Sequence, residues 1–233
     1  MLTPRENQIL RAIVNEYVAS AQPVGSRLLW TRYGLGISPA TIRTVMGALT
    51  EAGFLEQPHT SAGRVPTERA YRMFLEGAEA GSPSVGEQEK IALRMRKAGS
   101  SAEAVKNLCR QLAETSGGAG VFLSDDGPQF FGLANVFGHG ELADPRVARY
   151  LAELLDQTEE WLPKLASKQG QLAIRIGPEN DDFRARHISV LATKLSVDGQ
   201  PAYIAVVGPT RMPYRKLTSL FEYGLKEMAA RRA

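Results

Sequence analysis

Residues 38–51 hold a set of groups suited to reading a polynucleotide. On a wheel of 100° per residue, Ile42, Val45, Met46 and Leu49 fall on one side, toward a core. Ala40, Thr44, Gly47 and Glu51 fall opposite, with Thr41 and Arg43 at the flanks. Hydroxyls can bond bases or phosphates, and a guanidinium can take a guanine edge bidentately. A glycine in mid-helix costs about 1 kcal/mol against alanine and so needs a local reason, of which close approach of the backbone to DNA is one. An ordinary amphipathic helix of a small domain is the alternative. Further along, His59, Thr60, Ser61, Gly63 and Arg64 form a polar turn offering several phosphate donors and a cation able to enter a minor groove.

Other groups carry less. Ser116-Gly117-Gly118-Ala119-Gly120 could suggest a phosphate cradle, but it precedes a strand pattern and lacks a following helix or lysine, so it reads as a helix stop. The single cysteine, Cys109, sits among Val105, Leu108 and Leu112 at helical spacing and reads as core. His59, His139 and His187 include no short-spaced ligand pair, and one thiol builds neither a disulfide nor a zinc site, so no metal or cofactor is expected. Glu159 and Glu160 point different ways from a solvated helix start. His187 has no nucleophile at recognisable spacing, and Arg211 could equally meet a ligand, another subunit or its own chain. No acid, base and nucleophile converge, and the expectation is a protein that is not an enzyme.

The chain has 233 residues, 43% hydrophobic and 23% charged, which excludes wholesale disorder, a collagenous repeat or a coiled-coil rod. That length accommodates one large domain or two smaller ones. No apolar run reaches the roughly 18 residues of a membrane span, and Met1-Leu2-Thr3-Pro4-Arg5-Glu6 is no signal peptide, so a cytoplasmic protein off the membrane is expected. The net charge of +3 permits nucleic-acid binding without demonstrating it. Residues 1–75 contain eight arginines, five acids and no lysine. Arginine's fork suits phosphates and guanine edges better than lysine's point charge does. A codon bias toward arginine accounts for the same composition.

The elements that must position these groups follow from local signals. Thr3-Pro4-Arg5-Glu6 is a capping box with proline at the first helical position, opening a helix to about Ser20. Ser26 is placed as the cap of a short helix through Tyr33, and Ser38-Pro39 opens a third that Gly53 closes. Extended pieces at 54–57 and 65–66 complete the order of a winged helix-turn-helix. A fourth helix starts at Thr67-Glu68, and residues 77–86 form a linker. Helices are expected at about 87–98 and 101–115, strands at 121–123 and 130–137 with Asp126-Gly127-Pro128 as their turn, and helices from Asp144-Pro145 and Thr158. Strands at 172–176, 188–197 and 202–207 follow, with Asp198-Gly199 as a hairpin turn, and the last helix covers 214–231. The class is α+β: a winged-helix DNA-binding domain at 1–77, linker and helices at 78–118, and an α+β domain with a largely antiparallel sheet at 119–233.

Several blocks resemble the heat-inducible transcription repressor HrcA family. Pro23-Val24-Gly25-Ser26-Arg27, Tyr33-Gly34-Leu35, Ser38-Pro39-Ala40-Thr41-Ile42-Arg43, Tyr71-Arg72 and the thirteen residues from Leu55 to Thr67 are similar to its N-terminal domain. Ile176-Gly177-Pro178-Glu179-Asn180 and Val207-Gly208-Pro209-Thr210-Arg211-Met212-Pro213-Tyr214 resemble its GAF-like C-terminal domain. The resemblance covers residues 1 to about 77 and 119 to about 225. It implies a repressor that binds an inverted-repeat operator ahead of chaperone operons as a dimer and is kept active by a GroEL-type chaperonin. Together with the reading of the helix face and the polar turn above, it gives the expected DNA-binding set Ser26, Arg27, Ser38, Thr41, Arg43, Thr44, Gly47, His59, Thr60, Ser61 and Arg64.

Two departures stand out. Where the family usually continues Asn-Glu after Arg43, this chain has Thr44-Val45, so the operator sequence does not carry over. Members normally carry a small dimerisation domain inserted in the GAF-like part, whereas here Val121 to Asp125 leads almost directly to Gln129 to Asn135. Pairing is then expected through the helices at 87–115, where Ile91, Leu93, Met95, Val105, Leu108 and Leu112 exceed what one helix buries. A different class of function is a small-molecule sensor that uses the GAF-like domain for the ligand and the winged helix as output.

Overall fold

The computed structural model describes residues 2–59, 62–76, 82–138, 144–180 and 186–230. The chain forms two units, Met1–Glu79 and Ala80–Ala233.

In the first unit, α1 (Pro4–Ser20) begins where the sequence places it: Thr3 N donates to Glu6 Oε2 at 2.7 Å and Glu6 N donates back to Thr3 Oγ1 at 3.2 Å. It ends at Ala21, whose φ of 55° is left-handed and whose N–H returns to the Tyr17 carbonyl. Helix α2 (Ser26–Tyr33) differs in one detail from expectation: Ser26 is its first helical residue, not its cap, because Gly25 occupies the cap position. Helix α3 (Pro39–Glu51) is capped by Ser38, whose Oγ accepts from Thr41 N at 3.1 Å. Strands β1 (Leu55–Glu56) and β2 (Val65–Pro66) pair antiparallel, Leu55 opposite Pro66, and α4 (Glu68–Glu76) follows. Ile9, Leu10, Ile13, Leu29, Ile42 and Leu49 are buried to within 1% exposure, and they hold three helices and a wing as a winged helix-turn-helix.

The second unit is built on a five-stranded antiparallel sheet in the order β4-β3-β7-β6-β5. The strands are β3 (Ala119–Ser124), β4 (Gly127–Phe131), β5 (Ala173–Ile176), β6 (Ile188–Val197) and β7 (Gln200–Pro209). The β6–β7 hairpin closes through Asp198 at φ 50° and Gly199 at φ 88°, two left-handed residues in succession. Successive side chains alternate between the sheet faces. Val121, Leu123, Val190, Ala192, Ala205 and Val207 pack with α7 (Leu133–Phe137), α8 (Pro145–Asp156) and α9 (Thr158–Leu165). The other face meets α6 (Ser101–Ser116), whose Lys106 lies 5.9 Å from the Phe122 ring, with α10 (Tyr214–Ala230) packed on α6 and α5 (Val85–Arg96) on both helices.

Three expectations are corrected here. The strand expected at 130–137 ends at Phe131, because Gly132 turns left-handed at φ 72° and residues 133–137 coil into α7. The linker is shorter at its far end: Ser84 and Glu87 form a capping box, so Val85 and Gly86 are already helical, while residues 77–81 lie outside the described set. Ile91, Met95, Val105, Leu108 and Leu112, expected to supply a dimer surface, are all within 4% exposure inside this unit, and Leu93 alone of the six is exposed. What covers them is the packing of α5 and α6 on each other and on α10, and of α6 on the sheet.

Cys109 is fully buried, its Sγ donating to the Val121 carbonyl at 3.4 Å, and burial pushes its thiol pKa up. Ser116 to Gly120 is a helix stop, with Gly117 left-handed and the Gly118 amide donating to Ser116 Oγ. Among the described residues no helix is long and apolar enough to cross a membrane.

Candidate nucleic-acid interface

Helix α3 presents the face drawn from its wheel. Ile42, Met46 and Leu49 are buried, Val45 is half-buried, and Ala40, Thr41, Arg43, Thr44 and Glu51 are exposed. Thr44 Oγ1 donates back to the Ala40 carbonyl at 3.3 Å, which leaves its lone pairs outward. Ser38 and Thr41 share a hydroxyl contact of 2.9 Å at the helix start. Gly47 lies along this face, and a Cβ built on it meets nothing within 4 Å. Nothing inside the protein therefore requires glycine at 47.

The wing is positioned by a different kind of contact. Val24 N donates to the Arg64 carbonyl at 2.8 Å and Arg64 N to the Val24 carbonyl at 2.9 Å, so the wing's return strand is clipped to the turn before α2. A Cβ on Gly63 would fall 2.5 Å from the Val24 carbonyl carbon and 2.7 Å from that of Pro23. Glycine at 63 is thus required by the protein's own packing. That role was not visible in the sequence, where Gly63 counted as a backbone donor to phosphate, since the opposing backbone comes from forty residues upstream.

The arginines of this unit differ in what they touch. Arg32 pairs with buried Glu16 at 2.6 Å, Arg69 donates to the Ala52 carbonyl and lies 4.5 Å from the Phe54 ring, and Arg11 bonds Asn7. Arg27 and Arg43 are exposed, and their side chains have no partner among the described residues. Arg64, expected to point outward from the wing, is half-buried, and its Nε donates to Thr50 Oγ1 at 3.0 Å. Its two terminal nitrogens have no partner among the described residues.

Ser26, Arg43, Gln57 and Arg64 line a cavity of about 500 Å³ with Gly25, Met46, Ala62 and Gly63. The structure thus brings Ser26, Arg43 and Arg64 together. Thr41, Thr44 and Gly47 lie along the adjoining helix face, and His59 is exposed on the wing. Thr60 and Ser61 lie outside the described residues. Gln57, absent from the sequence-derived set, borders the same cavity, and its Nε2 donates across the wing to the Ala62 carbonyl at 3.0 Å. Its position in the short strand piece at 54–57, facing the turn of the wing, is the signal that could have found it.

The family model described as the HrcA protein C terminal domain matches residues 74–218. Curated relatives named heat-inducible transcription repressor HrcA include one from Desulforudis audaxviator (strain MP104C), 56% identical over 91 residues, or 39% of this chain and 26% of the relative. Another, from Geobacter sulfurreducens, is 42% identical over 142 residues, or 60% of this chain and 40% of the relative. The chain spans about a quarter to two fifths of the length of the curated relatives it matches. A solved structure described as a hypothetical protein is similar in fold, with a TM-score of 0.76 at 18% identity, covering 99% of this chain and 98% of the other.

Proposed function

The chain belongs to the HrcA family, and from that premise we propose that it is a sequence-specific DNA-binding repressor of heat-shock (chaperone) genes that binds an inverted-repeat operator as a dimer. The observation that carries this reading is the outer face of α3: exposed Thr41, Arg43 and Thr44 beside a mid-helix Gly47 that no contact within the protein demands. A helix that gives up about 1 kcal/mol at Gly47 for no internal gain is suited to close approach by a partner, and threonine hydroxyls with guanidinium groups suit a DNA groove and its backbone.

The candidate contacts are Ser26, Arg27, Ser38, Thr41, Arg43, Thr44 and Gly47 from the helices and His59, Thr60, Ser61 and Arg64 from the wing. An inverted repeat calls for two recognition helices related by a two-fold axis, which is the reason for a dimer. The buried apolar residues of α5 and α6 do not supply its interface. A GroEL-type chaperonin is the partner that the family resemblance suggests for keeping the repressor active.

DNase I footprinting of the full chain on the promoter of its own organism's chaperonin operon tests this reading. The expected result is one protected inverted repeat at nanomolar protein. Protection that spreads evenly along the fragment would contradict sequence-specific repression.

A further inference from the structure

The start of α2 is left open where those of α1 and α3 in the same unit are closed. Thr3 caps α1 and Ser38 caps α3 through their side chains, but Gly25 caps α2 with none. Nothing in the fold forces this. Gly25 has φ −95° and ψ 150°, ordinary extended backbone, and a Cβ there meets nothing within 4 Å. Leu29 is the first amide to donate into the helix, to the Gly25 carbonyl at 3.2 Å, so the amides of the first turn present their positive end outward.

Beside them, Ser26 is 7% exposed, lines the cavity between α2, α3 and the wing, and has no hydrogen-bond partner among the described residues. A hydroxyl in the wall of a cavity, with no protein group engaging it, is open to a partner that arrives from outside. Two guanidinium groups, from Arg43 and Arg64, border the same cavity, and no carboxylate does so among the described residues.

We propose that this cavity seats one phosphodiester group of the operator backbone, held by the open amides of α2, the Ser26 hydroxyl, and the guanidinium groups of Arg43 and Arg64. The proposal rests on the DNA-binding reading above and deepens it. It makes Arg43 a backbone contact in place of the guanine contact expected from sequence, and it leaves base reading to Thr41, Thr44 and the groove around Gly47. The occupant is a polymer's phosphate because Arg43 belongs to the same α3 surface as those residues, so a strand seated at the cavity continues along the helix.

The test uses the full chain, its footprinted operator duplex and a scrambled duplex, followed by fluorescence anisotropy. Gly25→Asp places a carboxylate on the α2 amides without a steric conflict. It is expected to keep or raise the melting temperature and to weaken both duplexes alike by about tenfold or more, the loss of a charge-assisted contact. Ser26→Ala is expected to melt as the parent does and to weaken both duplexes to a smaller, similar degree. Arg43→Gln should lower the salt slope by about one unit with no change in base preference.

Duplexes carrying single methylphosphonates should show one position per half-site that weakens the parent protein and has no further effect on Gly25→Asp. Parent-like binding by Gly25→Asp, or the absence of such a position, overturns the phosphate seat while the DNA-binding reading stands. A parent protein that binds neither duplex overturns both. Inhibition by inorganic phosphate beyond that of chloride at equal ionic strength would assign the cavity to a free anion and overturn the backbone source.

Discussion

Val24 and Arg64 exchange both of their backbone hydrogen bonds, at 2.8 and 2.9 Å, across forty residues of sequence. The wing is therefore not a free hairpin. Its return strand is fixed to the turn before α2, and Arg64 is fixed a second time through its Nε on Thr50 of α3. These contacts place the cation of the wing against the cavity that also holds Ser26 and Arg43.

Gly63 sits directly beside this clip. Replacing it with alanine puts a methyl group 2.5 Å from the Val24 carbonyl, and backbone on either side must move. Gly63→Ala is expected to destabilise the first unit by about 1–3 kcal/mol, the usual cost of overpacking, and to weaken DNA binding through the displaced wing. Differential scanning calorimetry of the full chain reads the shift. An unchanged melting profile would mean that the wing is not held by this contact.

Gly47→Ala should act with the opposite sign on stability. The position is helical and open, so alanine is expected to stabilise α3 by about 1 kcal/mol. Operator affinity should fall, because the added methyl group stands where the backbone must approach the groove. Higher stability with undiminished binding would remove Gly47 from the interface.

A third expectation concerns acid stability of the second unit. The Glu87 carboxylate lies 2.5 Å from Lys216 Nζ and accepts from the Ser84 hydroxyl and amide, at 2.7 and 3.0 Å. The Lys216 contact first, then Ser84, hold its pKa down to about 2. A carboxylate depressed in the folded state contributes stability above its unfolded pKa, near 4.5, and that contribution is lost as pH falls through about 2. Because Lys216 is half exposed, solvent screening limits the contribution to about 1 kcal/mol or less. Urea unfolding should show Glu87→Gln weaker than the parent at pH 7 and equal to it near pH 2. An equal difference at both pH values would mean that the charge is not the cause.

Signals confined to a few neighbouring residues were legible in the sequence. The Thr3–Glu6 capping box, the Ser38–Pro39 helix start and the Asp198–Gly199 turn all act within four residues, and each lies where the chain pattern puts it. The α3 face was legible because helical period alone sorts Ile42, Met46 and Leu49 from Thr41, Arg43 and Thr44. Misreadings arose where the deciding partner is distant. Apolar residues of α5 and α6 look surplus until α10, a hundred residues later, covers them. Arg64 looks outward until Thr50 takes its Nε, and Gly63 looks like a donor until Val24 is seen against it. Ser26 looks like a cap because serine is a good one, and only the backbone shows that Gly25 holds that place.

Stoichiometry separates the proposed dimer from a monomeric binder. Sedimentation of the full chain with operator duplex should give two chains per inverted repeat, and a duplex with one half-site should bind far more weakly. One chain per repeat at saturating protein would contradict the two-fold arrangement.

The central claim is that the α3 face and the wing together read a specific DNA sequence, and the ratio of two affinities measures it most directly. At one fixed salt concentration, the full chain is titrated against its footprinted duplex and a scrambled duplex of the same length. The expected ratio is about a thousandfold or more in favour of the operator, collapsing toward unity when Thr41 and Thr44 are both replaced by alanine. Equal affinity of the parent protein for the two duplexes would contradict the account.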